Sequence, residues 1–165
     1  VTRGGASGKV WFQDLYNFPE LDIALRPGDR ILVEEDTRSY TAVGATGTQN
    51  KVAFKSQNLS AIEAIAQVGG LSSATADPTG VFVFRNEPAE VVGPLLGRDD
   101  LVGAQRMIYV LDLTQPNGMF VARDFLIRDG DTVYVTESPF TQWDKTISSF
   151  TSSLTTVSAL AAFTN

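Results

Sequence analysis

Apolar residues recur along this chain mostly in short alternating or continuous runs, the pattern of strands. Runs at residues 10–15, 31–33, 39–43, 51–54, 81–85, 107–113 and 131–135 are expected to be strands, and the run 120–127 follows a turn at Gln115-Pro116-Asn117-Gly118. The run Val81-Phe82-Val83-Phe84-Arg85 has so few polar positions that it is expected to be buried on both faces. The runs at 39–43 and 51–54 form an expected strand pair, with Gly44 and Gly47 marking a turn or bulge between them. One stretch changes to a helical period: Ile62, Ile65 and Val68 make a single apolar stripe, Ser60 and Glu63 form a capping box, and Gly69-Gly70 supplies the stop. This helix is short, so its stability must come from packing on a sheet. Residues 86–105 are irregular and charged and read as a long loop with room for one helical turn. One unit, from Ser39 to Glu137, therefore reads strand, strand, helix, strand, long loop, strand, strand. Its economical solution is an α+β fold of β-grasp character, a sheet with one helix packed across a face.

Part of this pattern occurs twice. Leu25-Arg26-Pro27-Gly28-Asp29-Arg30-Ile31-Leu32-Val33 returns as Ile127-Arg128-Asp129-Gly130-Asp131-Thr132-Val133-Tyr134-Val135, with Asp29 and Asp131 102 positions apart. Pro27 and Gly28 suit a tight turn, because Pro presets φ and Gly takes φ > 0 without strain. Pro27, Gly28, Asp29, Gly130 and Asp131 are therefore structural turn residues, the two Asp accepting backbone N–H groups of their turns. The chain accordingly divides into three: residues 1–37, the closing portion of a repeat whose beginning is missing; 38–138, one complete repeat; and 139–165, a carboxy-terminal segment.

In that last segment Lys145 is the final charged residue. Trp143, Ile147, Phe150, Leu154 and Val157 fall at heptad-like spacing, with Ser148, Thr151, Ser152, Thr155 and Ser158 on other faces. A helix of about 23 residues rises about 35 Å, enough for a hydrocarbon core of about 30 Å. Hydroxyls facing lipid all round would be costly, whereas a ring of such helices turns the apolar stripe to lipid and the Ser/Thr face to a watery lumen or to neighbouring helices. A soluble packing helix or a disordered tail is the competing reading.

Composition narrows the chemistry. The 165 residues include no Cys and no His, which removes the commonest zinc ligands, thiol nucleophiles and the usual general base. A net charge of −6 without a Lys/Arg cluster argues against nucleic acid as a partner. Residues 1–9 lack the spacing of a phosphate-binding loop, because Arg3 stands where its first Gly belongs and Val10 follows Lys9. Asp99 and Asp100 with Glu90 are the candidate carboxylates for a glycosidase, yet nothing in their spacing sets the separation that chemistry requires. Phe18, Tyr40, Tyr109 and Tyr134 are candidate sugar-stacking platforms, with core packing as the simpler role. No catalytic, cofactor-binding or metal-binding residue is assigned, and the expectation is a non-enzymatic protein without a cofactor.

The run Leu25-x-Pro27-Gly28-Asp29-x-Ile31-x-Val33, the helix with its end at residues 59–71, the strand ending in Arg85 and the closing Asp129-Gly130-Asp131 turn together resemble the soluble-ligand-binding β-grasp (SLBB) domains of outer-membrane polysaccharide export proteins. The resemblance covers about residues 10–140, with Asp129 standing where Pro is usual. It implies tandem β-grasp domains in the periplasm and a homo-oligomeric ring, typically octameric, whose terminal amphipathic helices cross the outer membrane. The implied partners are a capsular or exopolysaccharide substrate and an inner-membrane polysaccharide co-polymerase. The implied function is a conduit carrying that glycan from periplasm to cell surface. The alternative is a periplasmic module that binds glycan or docks a partner without forming a pore.

Overall fold

The computed structural model describes residues 1–137 and the short strand Thr155–Ser158, and the chain divides into two compact units, Val1–Asp36 and Thr37–Asn165. The first unit opens with two-residue strands β1 (Thr2–Arg3) and β2 (Ala6–Ser7), continues through the one-turn helix α1 (Asp14–Asn17) and a 3₁₀ turn at Pro19–Leu21, and ends in extended chain. The strands expected at residues 10–15 and 31–33 are not formed. Arg30 makes one isolated antiparallel bridge to Thr2, and among the described residues no longer partner runs beside residues 31–33, so their alternating pattern joins no ladder there.

The second unit contains β3 (Ser39–Gly44), β4 (Asn50–Ala53), α2 (Ala61–Gln67), β5 (Val81–Pro88), α3 (Ala89–Leu96), β6 (Ala104–Leu111), α4 (Gly118–Asp124), β7 (Thr132–Val135) and β8 (Thr155–Ser158). Five of its strands form a mixed sheet in the order β4-β3-β7-β5-β6, and β8 adds beside β6. Strand β3 runs parallel to β7, while β3–β4, β5–β7 and β5–β6 are antiparallel. The class is the expected α+β, β-grasp-like one.

Helix α2 begins as its sequence dictates. Ser60 Oγ accepts the Glu63 N–H at 3.3 Å and the Glu63 carboxylate accepts the Ser60 N–H at 2.8 Å, satisfying two otherwise orphaned donors. Its small residues Ala61 and Ala64 are fully buried and let the helix lie close on the sheet, against Val81, Val83, Val133, Val135 and Leu111. Tyr40 is buried beneath it and donates its hydroxyl to the Ala64 carbonyl at 2.7 Å, so this tyrosine is a core residue and not a sugar platform.

Two further helices correct the expectation of one. Residues 120–124 belong to α4, where the sequence pattern assigns no element: Val121, Ala122 and Phe125 meet the core at helical spacing. Gly118 starts that helix where a Cβ would stand 2.0 Å from the Asp112 carbonyl oxygen. The expected long loop at 86–105 is mostly regular, because β5 continues to Pro88, α3 follows with a left-handed Gly97 at its end, and β6 begins at Ala104.

The terminal stripe residues Trp143, Ile147, Phe150 and Leu154, with Ser148, Thr151 and Ser152, lie outside the described residues. Thr155, Val157 and Ser158 sit in β8, parallel to β6, and not in the expected helix. Three successive β-branched residues, Thr155, Thr156 and Val157, favour a strand once an edge is offered. Among the described residues no helix is long and apolar enough to cross a membrane.

Candidate functional site

Strand β5 outgrows its neighbour. Only Val81 to Phe84 pair with β7, so Arg85 to Pro88 project past it while still paired to β6. Side chains alternate along a strand, which places Arg85 and Glu87 on the same side as the core residues Val81 and Val83. The apolar face thus ends in a charged pair, closed over by the turn before β7 and by the chain that leaves α4.

Arg85 holds Asp131 side-on, Nε to Oδ1 at 3.0 Å and Nη2 to Oδ2 at 2.6 Å. Its Nη2 also donates to the Leu126 carbonyl at 2.7 Å and its Nη1 to Glu87 Oε1 at 3.3 Å. Glu87 accepts the Tyr109 hydroxyl at 2.8 Å on Oε1 and Arg128 Nη1 at 2.7 Å on Oε2. The Arg85 guanidinium lies over the Phe125 ring at 4.9 Å and the Tyr109 ring at 5.4 Å. Two cations and two anions make the cluster neutral. Glu87 and Asp131 are each 1 % exposed, so such charges persist only because each is paired and hydrogen-bonded.

Burial by itself would lower the Arg85 pKa, and the bonded Asp131 carboxylate more than offsets this, holding it above its ordinary value. Burial would raise Glu87, but the Tyr109 hydroxyl and the Arg128 and Arg85 charges hold it below the usual carboxylate range. Tyr109 is pushed up to about 12, first by burial and then by its bond to Glu87. With these partners occupied, the cluster is built as a clamp that ties β5, β6 and the turn before β7 together, with the half-exposed Arg128 as its outer edge.

The closing turn has a second, independent hold. Asp131 Oδ2 accepts the Arg128 N–H at 2.8 Å, the Asp131 N–H returns to the Arg128 carbonyl at 3.2 Å, and Gly130 has φ 81°. The first unit repeats this set bond for bond. Asp29 Oδ2 accepts the Arg26 N–H at 2.8 Å, the Asp29 N–H bonds the Arg26 carbonyl at 3.1 Å, and Gly28 has φ 93°. Arg3 grips Asp29 through Nε at 2.8 Å and Nη2 at 2.6 Å, and Nη2 also reaches the Ala24 carbonyl at 2.9 Å, five residues before Asp29, as Leu126 is five before Asp131. Thr2 pairs with Arg30 as Phe84 pairs with Thr132. The Arg3 bond and the Arg26 N–H bring Asp29 down to about 2.

Sequence reasoning found the turns and missed their partners. Of the missed partners Arg3, Glu87 and Arg128, Glu87 alone carried a usable signal: with Arg85 it stands at alternate positions of a strand whose other residues on that face are apolar. Of the other candidates, Tyr109 belongs to the clamp, Tyr134 packs on Phe82 with ring centroids 6.3 Å apart, and Phe18 is exposed. Asp100 is engaged by Arg98 at 2.9 Å on the surface, and Glu90 stands in the first turn of α3. Among the described residues no group of three or more His, Cys, Asp or Glu is placed to hold a metal.

With this geometry in hand, the family is defined by the match of the SLBB domain to residues 39–135: the chain belongs to the SLBB domain family. It is similar to the Vi polysaccharide export protein VexA/TviF of Salmonella typhi, 33 % identical over 155 residues, which cover 94 % of this chain and 42 % of that protein. It is also similar to the capsule polysaccharide export protein BexD of Haemophilus influenzae, at 31 % identity over 88 % of this chain and 38 % of the relative. The EPS I polysaccharide export outer membrane protein EpsA of Ralstonia solanacearum matches at 28 % over 89 % of this chain and 36 % of its own length. The chain thus spans about four tenths of the curated relatives it matches.

Proposed function

We propose that this chain is the later part of an outer-membrane polysaccharide export protein, acting without catalysis in the passage of a capsular or exopolysaccharide from periplasm to cell surface. The observation that carries the reading is the match along about nine tenths of the chain to proteins named for polysaccharide export. The clamp fits that role: its carboxylates are engaged in ion pairs, so it serves to hold a rigid domain and not to perform acid–base chemistry.

In this reading the β-grasp domains stack as periplasmic rings of a homo-oligomer facing an inner-membrane co-polymerase. The first unit is the closing half of a preceding SLBB repeat; the bond-for-bond recurrence of the Arg–Asp turn supports this. The stripe Trp143, Ile147, Phe150 and Leu154 faces lipid, and the hydroxyls of Ser148, Thr151 and Ser152 face a lumen or neighbouring helices. A passing polyhydroxylated chain needs many weak, exchangeable hydrogen bonds, which uncharged hydroxyls supply. The test is to replace Phe150 and Leu154 by Lys in the full-length protein. The expected result is loss of outer-membrane insertion and of surface glycan. Unchanged insertion and export would overturn the spanning assignment, and a full-length protein that binds glycan while remaining soluble without detergent would favour a pore-free binding module.

A further inference from the structure

The offset of 102 positions that matches Asp29 to Asp131 also sets Ile23, Leu25, Ile31 and Val33 against Phe125, Ile127, Val133 and Val135. All four pairs are apolar. In the second unit Ile127, Val133 and Val135 belong to the core and Phe125 packs on it, whereas in the first unit the four counterparts are 51 % to 85 % exposed. The backbone repeats the contrast. In the second unit the Ala61 N–H donates to the Phe125 carbonyl at 2.8 Å and the Ile127 N–H to the Leu59 carbonyl at 2.7 Å, which seats the chain entering α2. The Gly130 N–H donates to the Ser39 carbonyl at 2.9 Å and the Thr41 N–H to the Asp131 carbonyl at 2.9 Å, which seats β3. The matching groups of the first unit, the Ile23 and Asp29 carbonyls and the Leu25 and Gly28 N–H groups, make no such bond among the described residues. The edge is nevertheless already set, because the Arg3–Asp29 pair closes its turn.

We propose that this edge seats a strand and a helix from the earlier part of the same full-length polypeptide, the strand running parallel to residues 29–33. The inference rests on the reading of the chain as the later part of an export protein, and the relatives it matches carry more than half their length outside the matched region. A second copy of this chain has no spare piece of that kind, because its β3 and α2 are already seated on its own sheet. The second unit also specifies the chemistry of the occupant. In the parallel pairing Ala42 stands beside Val133 and Gly44 beside Val135, and a Cβ on Gly44 would collide with the Val135 carbonyl oxygen. The strand added to the first unit therefore carries a small residue beside Ile31 and a glycine two places on, beside Val33. Ala61 and Ala64 of α2 are fully buried, so the helix laid over Leu25, Ile31 and Val33 carries small residues at the same three-residue spacing. One bond of the template is lost: Asp129 Oδ1 accepts the Ser39 N–H at 2.8 Å, and Pro27 in its place offers no side-chain acceptor.

The test compares the full-length protein with the present 165 residues. Amide hydrogen exchange at Leu25 and Gly28 should be at least tenfold slower in the full-length protein, and equal rates would overturn the proposal. Protection alone does not name the occupant, so a photo-reactive aromatic is placed at Leu32 of the full-length protein, as Leu32→p-benzoylphenylalanine. The position accepts a ring, since its counterpart Tyr134 places its own ring against Gly44 of β3. Irradiation should join position 32 to the glycine-bearing strand within one polypeptide. A product of doubled mass, or no cross-link, would overturn the assignment to the same chain. Export is scored apart, as surface glycan on cells lacking the protein: normal glycan there would overturn the export reading while leaving the seating of the edge, read by exchange and cross-link, standing.

Discussion

Asp29 and Asp131 accept the same backbone N–H, close the same turn and are gripped side-on by an arginine in the same way, yet the two turns sit in different surroundings. Around Asp131 the turn leads into a strand with partners on both sides, and Ile127, Val133 and Val135 are 4 %, 0 % and 0 % exposed. The matching residues of the first unit, Leu25, Ile31 and Val33, are 57 %, 55 % and 85 % exposed. The turn is thus a local device, whereas the strand after it is a cooperative one. An Arg–Asp pair with a glycine at φ > 0 closes wherever its few residues occur, but a strand needs a neighbouring backbone and a covering helix.

The sharpest way to break this contrast is to remove the carboxylate from each turn. Asp131→Ala leaves Arg85 buried without its main partner and is expected to cost about 3–5 kcal/mol, read from the denaturation midpoint of the second unit. Asp29→Ala, at a turn whose apolar neighbours are open to solvent, is expected to leave that midpoint unchanged. Equal losses would mean that the two clamps are energetically alike.

Next in size is the core position after each turn. Val133→Ala is expected to cost about 2–3 kcal/mol, since its side chain is fully buried, and Ile31→Ala close to nothing. A smaller effect sharpens the role of the covering helix: Ser60→Ala removes one half of the capping box and is expected to cost about 1 kcal/mol, with the loss confined to the second unit.

The smallest effects are titrations, and they separate the two sites by pH. Asp29 has its pKa lowered to about 2, so its pair contributes stability above the ordinary Asp range and loses it as pH falls through about 2, to be followed by carboxyl-carbon NMR. Tyr109 is raised to about 12, so its neutral hydroxyl contributes fully below the ordinary Tyr value of about 10 and the contribution is lost as pH rises through about 12. Tyrosinate absorbance should show one tyrosine ionising near that upper value while the fold persists, and a titration of all four tyrosines near 10 would contradict the buried Glu87 bond.

Some elements were legible because their causes lie within a few residues. The capping box of α2, the paired strands β3 and β4, and the turns at Gly28 and Gly130 depend on side chains next to the backbone they serve. Helix α4 was not, because Phe120 to Ile127 shows no clean period of either kind, and burial of Val121, Ala122 and Phe125 against α2 and β6 is what selects the helix. Residues 155–158 show the same limit in reverse, since their helical spacing yields to the open edge of β6.

By itself the sequence determined the α+β class, the repeated Gly-Asp turn and the helix that begins at Ser60, since these follow from propensity, capping and left-handed glycines. Only the tertiary structure decided what each turn is tied to. Arg3 lies 26 residues from Asp29 and Arg85 lies 46 from Asp131, and no local rule selects one arginine over another at such distances. What selects Arg85 is its place on a strand that outruns β7, where a buried guanidinium must find a carboxylate and Asp131 stands within reach.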